Sequence, residues 1–179
     1  MSRGADSAFL AEQYRLHANL VFGRCLVMGG GDRAWAEDVT HEVFIRLMEH
    51  ADALDRSSSL APWLLTVAYR LCANRLRHER SVWHRVRAAL SWQPKDPPTP
   101  PDGEPLADPA DSEELAAELR RSLATLPPKE RAVVTMRYLD GASQVQIAQT
   151  LGHSEGYVSK LLTRAVARLR ERHWKVNDE

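Results

Sequence analysis

Apolar residues between Ser143 and Arg170 repeat with helical spacing in two successive runs. Ser143 precedes the first run and Gly152 ends it, which predicts a short helix with a serine N-cap and a glycine suited to a left-handed C-terminal turn. Ser154 precedes the second run. Its apolar members share one side of a helical wheel: Val158, Leu161, Leu162, Ala165 and Leu169. The pattern predicts two helices joined by a tight turn.

The other side of the second predicted helix is small, polar and basic. It carries Gly156, Lys160, Thr163, Arg164 and Ala167. A major groove admits one helix, and hydrogen-bond donors on the outer face of that helix can reach base edges. The alternative is an ordinary amphipathic hairpin with solvated charges. The two caps, the glycine turn and the one-sided charge favour a helix-turn-helix that reads DNA.

The N-terminal part also has helical periodicity throughout. We predict one helix over about residues 7–28, a turn at the three glycines 29–31, a second helix over about 33–51, and a third from about Leu60 with Pro62 in its first turn. The fold class is therefore all-α, with two small helical domains.

The outer face of the second predicted helix combines charge with one apolar residue. The core stripe is predicted to be Ala36, Val39, Val43, Phe44, Leu47 and Met48. The opposite face carries Asp38, His41, Glu42, Ile45 and Glu49. An isoleucine among carboxylates is typical of a protein-docking patch, although single exposed isoleucines without a function are also common.

The third predicted helix has an aromatic and basic face made of Trp63, Val67, Arg70, Asn74 and Arg77. Tryptophan can stack on an unpaired base while arginines hold the phosphates, and the polar loop 52–59 that precedes the helix can cup an extruded base. The alternative is that Trp63 anchors the core and that the arginines are solvated.

Charge separates the chain into three segments, although basic and acidic residues both number 24 overall. Residues 1–92 carry 12 basic and 10 acidic side chains, residues 93–118 carry 1 and 8, and residues 119–179 carry 11 and 6. Seven of the ten prolines lie in the acidic segment, which favours an extended chain over a helix. We predict domains at 1–92 and 113–179, joined by a flexible acidic, Pro-rich linker at 93–112.

Several classes of protein are disfavoured by the sequence. No run of about 18 apolar residues predicts a membrane span, and the N-terminus has no apolar signal-peptide core, so we expect a cytoplasmic protein without membrane insertion. Cys25 and Cys72 are expected to be buried free thiols. We find no spacing of ligands for a metal, no cofactor motif and no catalytic motif, so we expect no enzyme.

Three segments resemble conserved motifs of bacterial sigma factors, in particular of the small extracytoplasmic-function (ECF) group of the sigma-70 family. They are AEDVTHEVFIRLMEH at residues 36–50, APWLLTVAYRLCANRLRHER at 61–80, and LPPKERAVVTMRYLDGASQVQIAQTLGHSEGYVSKLLTRAVARLR at 126–170. The resemblance covers nearly the whole chain outside the linker and termini. It implies an alternative sigma factor that binds core RNA polymerase and directs promoter-specific initiation.

The resemblance also implies roles for individual residues. Docking on the clamp helices of the largest polymerase subunit falls to the second helix, at Asp38, His41, Glu42 and Ile45. Melting and capture of the minus-ten element fall to the third helix and the loop before it, at Arg56, Ser57, Ser58, Ser59, Trp63, Tyr69, Arg70, Asn74 and Arg77. Recognition of the minus-thirty-five element falls to Tyr157, Ser159, Lys160, Thr163 and Arg164.

The chain departs from the family pattern at several of these positions. His41 stands where glutamine is usual, Tyr69 and Arg70 where arginine and asparagine are usual, Asn74 where aspartate is usual, and Ser159 where a basic residue is usual. Polymerase docking is expected to survive these changes, whereas the promoter sequence cannot be transferred from relatives. The resemblance further implies a sequestering anti-sigma factor as a partner.

Two other classes of protein remain open from the residues alone. A conventional helix-turn-helix regulator needs a ligand pocket or a dimer face in its first domain, and the sequence shows neither pattern. An interaction module that binds polymerase without a promoter leaves the predicted recognition helix without a role.

Overall fold

The computed structural model is helical, without β-strands, over the residues that it describes, which are 3–54, 59–90 and 110–176. Side chains are described over residues 7–54, 59–79 and 116–171. The elements are α1 (Arg3–Met28), α2 (Arg33–His50), a 3₁₀ turn (Ala51–Ala53), α3 (Ala61–Leu90), α4 (Ala110–Ala124), α5 (Pro128–Val134), a π-helical turn (Thr135–Leu139), α6 (Gln144–Leu151) and α7 (Glu155–Val176). The all-α fold predicted from the sequence is confirmed.

Helices α1–α3 precede residues 91–109 and are called the first domain here, and α4–α7 follow those residues and are called the second domain. Residues 91–109, which include most of the predicted linker, lie outside the described part of the chain, and α4 begins at Ala110, inside the segment assigned to the linker. Buried apolar side chains of both domains form one continuous cluster, which runs from Val21 and Leu64 to Val133 and Ile147. The two domains therefore pack against each other.

The corner between α1 and α2 is built from local chemistry. Asp32 caps α2, because its carboxylate accepts a hydrogen bond from the Trp35 amide at 2.9 Å. The Trp35 ring lies so close to Gly29 that an added Cβ would come within 2.7 Å of it. The Trp35 indole N–H donates to Glu79 of α3 at 2.9 Å, so the corner is also tied to the third helix.

The predicted core stripe of α2 is correct at five positions and wrong at the sixth. Ala36, Val39, Val43, Phe44 and Leu47 are buried, whereas Met48 is 62% exposed. Met48 lies about 100° around the helix from Leu47, at the edge of the stripe, and α1 and α3 do not cover that edge. Helical periodicity identified the stripe but could not show how far the neighbouring helices extend over it.

Cys25 of α1 and Cys72 of α3 are buried free thiols, as the sequence predicted. Their sulfur atoms are 4.0 Å apart, and the Cys72 thiol donates to Cys25. This contact lowers the pKa of Cys25, whereas the same contact and burial raise the pKa of Cys72. The pair marks the close approach of α1 and α3 in the first domain.

Helix α6 has both of its predicted end signals. Ser143 and Gln146 form a capping box, with the Gln146 amide donating to Ser143 Oγ at 3.2 Å and the Ser143 amide donating to Gln146 Oε1 at 2.8 Å. Gly152 ends the helix at φ 67°, where its amide donates to the Ala148 carbonyl oxygen. This left-handed residue sets the angle at which α7 leaves α6.

We predict that Gly152→Ala lowers the free energy of unfolding by about 1–2 kcal/mol, because a Cβ strains a left-handed backbone. Gly156→Ala is the matched control, since Gly156 lies in the first turn of α7 with nothing within 4 Å of an added Cβ. It should be neutral or slightly stabilising, because alanine favours a helix. Urea denaturation measures both variants, and an equal loss in both would contradict the role of the left-handed turn.

Candidate nucleic-acid interface

Helix α7 presents one buried and one exposed face, as its sequence pattern predicted. Ser154 caps it, with the Tyr157 amide donating to Ser154 Oγ at 3.3 Å. Val158, Leu161, Leu162 and Ala165 are buried, and Leu169 packs partly buried against the same core. Ile147 and Ala148 of α6 belong to that core too, so the shorter helix supports the longer one from behind.

All five residues assigned to the minus-thirty-five element are exposed: Tyr157, Ser159, Lys160, Thr163 and Arg164. The Thr163 hydroxyl donates to the Ser159 carbonyl oxygen at 3.0 Å, within the helix. Neither Lys160 nor Arg164 forms an ion pair with another described residue. This surface therefore offers unpaired cations and short polar side chains beside the N-terminal turns of the helix, the arrangement that base-edge reading requires.

Tyr157 is held in place by residues outside α7. Its ring lies 5.0 Å from the His153 ring in an edge-on arrangement, and the Lys129 ammonium lies 5.5 Å from the ring centroid. Burial, and next the charge of Lys129, lower the pKa of His153. His153 is therefore neutral near pH 7, and Lys129 supplies positive charge at the N-terminus of α7.

The C-terminal half of α7 contacts α5 through an ion pair. Arg168 Nε lies 3.1 Å from Oε2 of the buried Glu130 in α5, although the angles do not make this ion pair a hydrogen bond. Arg168 therefore balances a buried carboxylate. Arg170, half a turn further on, is exposed.

The outer face of α2 matches the predicted docking patch in exposure. Ile45 is 52% exposed, Asp38 and His41 are exposed, and Glu42 is partly buried. Asp38 pairs with Arg75 of α3 at 3.1 Å. The exposed Met48, which the sequence placed in the core, lies about one turn from Ile45 and enlarges the apolar part of this surface.

The residues assigned to the minus-ten element differ in burial where the structure describes them. Arg56, Ser57 and Ser58 lie outside the described part of the chain, and Ser59 is exposed. Trp63 is partly buried against the core, with its ring centroid 6.1 Å from that of His50. Trp63 therefore agrees with both interpretations of the sequence, a core anchor and a surface for a base, because part of the ring packs against the core and part stays accessible.

The remaining four lie on the side of α3 that faces the second domain. Tyr69 is buried, and its hydroxyl donates to Asp140 at 2.5 Å. Arg70 Nε donates to the Thr150 carbonyl oxygen at 3.2 Å, and Arg77 donates to Asn74 at 2.6 Å. In this conformation Tyr69 is a contact between domains and offers no surface to a base. Burial, and next the charge of Asp140, raise the pKa of Tyr69, so it stays a donor.

A cleft of about 620 Å³ lies between the two domains. Its basic and polar lining comes from both sides: Arg70, Asn74, Arg77, Lys129, Gln149 and His153. Thus three of the nine side chains assigned to the minus-ten element line the same cleft as residues of the helix-turn-helix.

Three residues that join the domains were missed from the sequence. Asp140 accepts from Arg24 Nε at 2.6 Å as well as from Tyr69. Arg131 donates to the Val27 and Met28 carbonyl oxygens at 3.1 and 3.2 Å, at the C-terminal end of α1. The partners in these hydrogen bonds are 71–116 residues apart, so no local sequence pattern predicts the contacts.

The described residues hold no cluster of histidine, cysteine and carboxylate side chains that could bind a metal ion. Among the described helices, none has both the length and the apolar character needed to cross a bilayer.

Family profiles match both domains: "Sigma-70 region 2" over residues 13–82 and "Sigma-70, region 4" over residues 122–171. The ECF RNA polymerase sigma factor SigL of Mycobacterium tuberculosis is 31% identical over 172 residues, which cover 93% of this chain and 89% of that protein. SigW of Bacillus subtilis, also an ECF sigma factor, is 25% identical over 173 residues, which cover 96% and 91%.

Solved structures share the fold. The sigma factor RpoE of Bartonella quintana, in complex with the anti-sigma factor NepR, superimposes with a TM-score of 0.60 at 18% identity, over 90% of this chain and 94% of that one. CnrH, in complex with the cytosolic domain of CnrY, gives a TM-score of 0.54 at 18% identity, over 90% and 85%.

Proposed function

This chain belongs to the ECF group of the sigma-70 family and is a sigma factor that directs promoter-specific transcription, and we propose a separate binding role for each of three of its surfaces. The exposed face of α7 reads the minus-thirty-five element. The exposed face of α2 docks on core RNA polymerase, and the basic face of α3, with the loop before it, captures the minus-ten element.

The observation that carries this proposal is the outer face of α7. Lys160 and Arg164 lie one turn apart and form no ion pair with a side chain that the structure describes, and Ser159 and Thr163 lie beside them on exposed positions. The Ser154 cap starts the helix just before them, so these side chains belong to the turns that enter a groove first.

The outer face of α2 supports the polymerase-docking role. Ile45 and Met48 form an exposed apolar pair, and carboxylates surround them at Asp38, Glu42 and Glu49. An apolar anchor within a charged rim is typical of protein interfaces. The proposed role of α3 rests on Arg70, Asn74 and Arg77, whose side chains are exposed on one side of the helix.

We also propose a cytoplasmic location, because the sigma factor works on polymerase at the chromosome. An anti-sigma factor is proposed as a further partner, since the related structures RpoE and CnrH were solved as complexes, RpoE with a named anti-sigma factor.

Run-off transcription tests the central role. We predict that the chain alone yields no transcript and that, with core polymerase, it starts transcripts at defined positions, because the polymerase supplies the catalytic centre. Core polymerase alone is the control. A template library that yields no initiation dependent on this chain would contradict the proposal.

We predict that Ile45→Glu weakens binding to core polymerase by about 1–3 kcal/mol, as expected for an interface anchor, and changes the free energy of unfolding by less than about 0.5 kcal/mol, as expected for an exposed site. Leu16→Glu is the matched control, because Leu16 is 58% exposed on α1 and lies two residues beyond Tyr14, which packs on Phe44 of α2. Equal losses of polymerase affinity in both variants would exclude a specific docking role for Ile45.

We predict that Lys160→Ala costs about 1–3 kcal/mol on the cognate upstream element and reduces discrimination against single-base variants, because Lys160 can reach base edges. Arg170→Ala is the comparison, since Arg170 lies nearly three turns further along the helix. It should weaken all sequences alike and change the salt slope by at most about one unit. Promoter activity across a saturated upstream-element library, at two salt concentrations, measures both. A uniform loss for Lys160→Ala would make it a phosphate contact.

A further inference from the structure

The first domain contains both cysteines of the chain, and their side chains meet in its core. Cys25 of α1 and Cys72 of α3 are 47 positions apart along the sequence, yet their sulfur atoms are 4.0 Å apart. Both residues are buried, with 0% and 1% of their surface exposed. None of the three proposed binding surfaces uses either thiol, so the pair is a nucleophilic group without an assigned role.

The surroundings of the pair give the two sulfur atoms different chemistry. The Cys72 thiol donates a hydrogen bond to Cys25, and this contact lowers the pKa of Cys25. Burial opposes this shift, and Thr40 of α2 adds to it. The contact with Cys25, and next burial, raise the pKa of Cys72. Because the thiolate is the nucleophilic form of cysteine, Cys25 is suited to attack an oxidant first and Cys72 to react second.

The separation of the sulfur atoms is close to what a disulfide requires. A disulfide bond is about 2.05 Å long, so the two atoms must approach each other by about 2 Å in total. A shift of this size, divided between two side chains, lies within reach of rotation about their Cα–Cβ bonds. Helices α1 and α3 therefore need little rearrangement to become cross-linked.

We propose that Cys25 and Cys72 form an oxidation site, at which a peroxide converts the dithiol into a disulfide that ties α1 to α3. The inference goes beyond the DNA and polymerase roles proposed above, and it rests only on contacts inside the first domain. In a reducing compartment such a disulfide is typically transient and redox-sensing, because cellular thiols reduce it again.

The reaction balances with one molecule of hydrogen peroxide. The Cys25 sulfur attacks one peroxide oxygen, the O–O bond breaks, and the leaving hydroxide takes the thiol proton to form water. The Cys72 sulfur then attacks the sulfenic acid on Cys25. An S–S bond forms, the S–O bond breaks, and the hydroxide leaves with the Cys72 proton as a second water. The two sulfur atoms lose two electrons, which the peroxide oxygens gain. Hydrogen peroxide is small enough to reach the pair through local opening of the domain.

Peptide mass spectrometry of the folded full chain tests the site. The sequence contains no other cysteine, so an internal disulfide can join only this pair. After hydrogen peroxide, denaturation and N-ethylmaleimide, we expect a monomer with neither thiol alkylated and with the Cys25 and Cys72 peptides joined. Dithiothreitol should restore two alkylated thiols. The untreated chain, in which both thiols should be alkylated, is the control.

Cys72→Ala is the matched variant, because it keeps Cys25 and removes the second thiol. Under the same treatment it should give no internally joined peptides. Circular dichroism shows whether the variant is folded, and the result on the natural chain decides the matter where it is not.

Thermal unfolding measures whether the native packing accepts the cross-link. A disulfide between residues this far apart restricts the unfolded chain, so the melting temperature of the oxidised chain should rise by about 5–15 °C over the reduced chain. The reduced sample is made from the oxidised one with dithiothreitol, so that methionine oxidation is equal in both.

Three results would overturn the proposal. Two alkylated thiols after peroxide treatment would make the pair an inert part of the core. Cross-linked dimers, or cysteines that carry oxygen in place of a disulfide, would exclude the pairing of Cys25 with Cys72. A lower melting temperature for the disulfide form would show that the native packing does not accept the bond. None of these results depends on run-off transcription, so the oxidation site and the proposed function can fail separately.

Discussion

The Asp140 carboxylate joins the two packed domains of this sigma factor through Arg24 and Tyr69. It lies after a π-helical turn, and such turns insert an extra residue that changes the direction of the side chains that follow. Its charge is largely removed from water, so it requires the Arg24 cation and the Tyr69 donor that it contacts. A buried ion pair of this kind contributes little net stability, but it strongly disfavours arrangements that leave one partner unpaired. It specifies which surfaces of the two domains meet.

The helix-turn-helix is organised differently, because its geometry comes from neighbouring residues. The Ser143 capping box starts α6, Gly152 ends it, and the Ser154 cap starts α7, all within a dozen residues. The tertiary structure then adds contacts from α5. Lys129 lies over the Tyr157 ring, and Glu130 forms an ion pair with Arg168. The face of α7 that we propose reads DNA is thus a local structure to which the rest of the domain contributes charge and support.

The basic face of α3 lies beside both the contacts between the domains and the helix-turn-helix. Arg70, Asn74 and Arg77, which we propose bind unpaired DNA, line a cleft whose other wall is the helix-turn-helix domain. Two weak DNA-binding surfaces gain affinity when a scaffold holds them at the correct separation.

The sequence alone determined the helices, their caps, the buried face of α7, most of the α2 stripe and the exposed Ile45, because periodicity and capping act within a few residues along the chain. The family resemblance added roles that spacing could not supply. The tertiary structure alone decided that Met48 is exposed, that Tyr69 is buried, and that Arg24, Arg131 and Asp140 join the domains. These outcomes depend on how far one helix covers another, and on hydrogen bonds between groups 71–116 residues apart, and no local pattern encodes either.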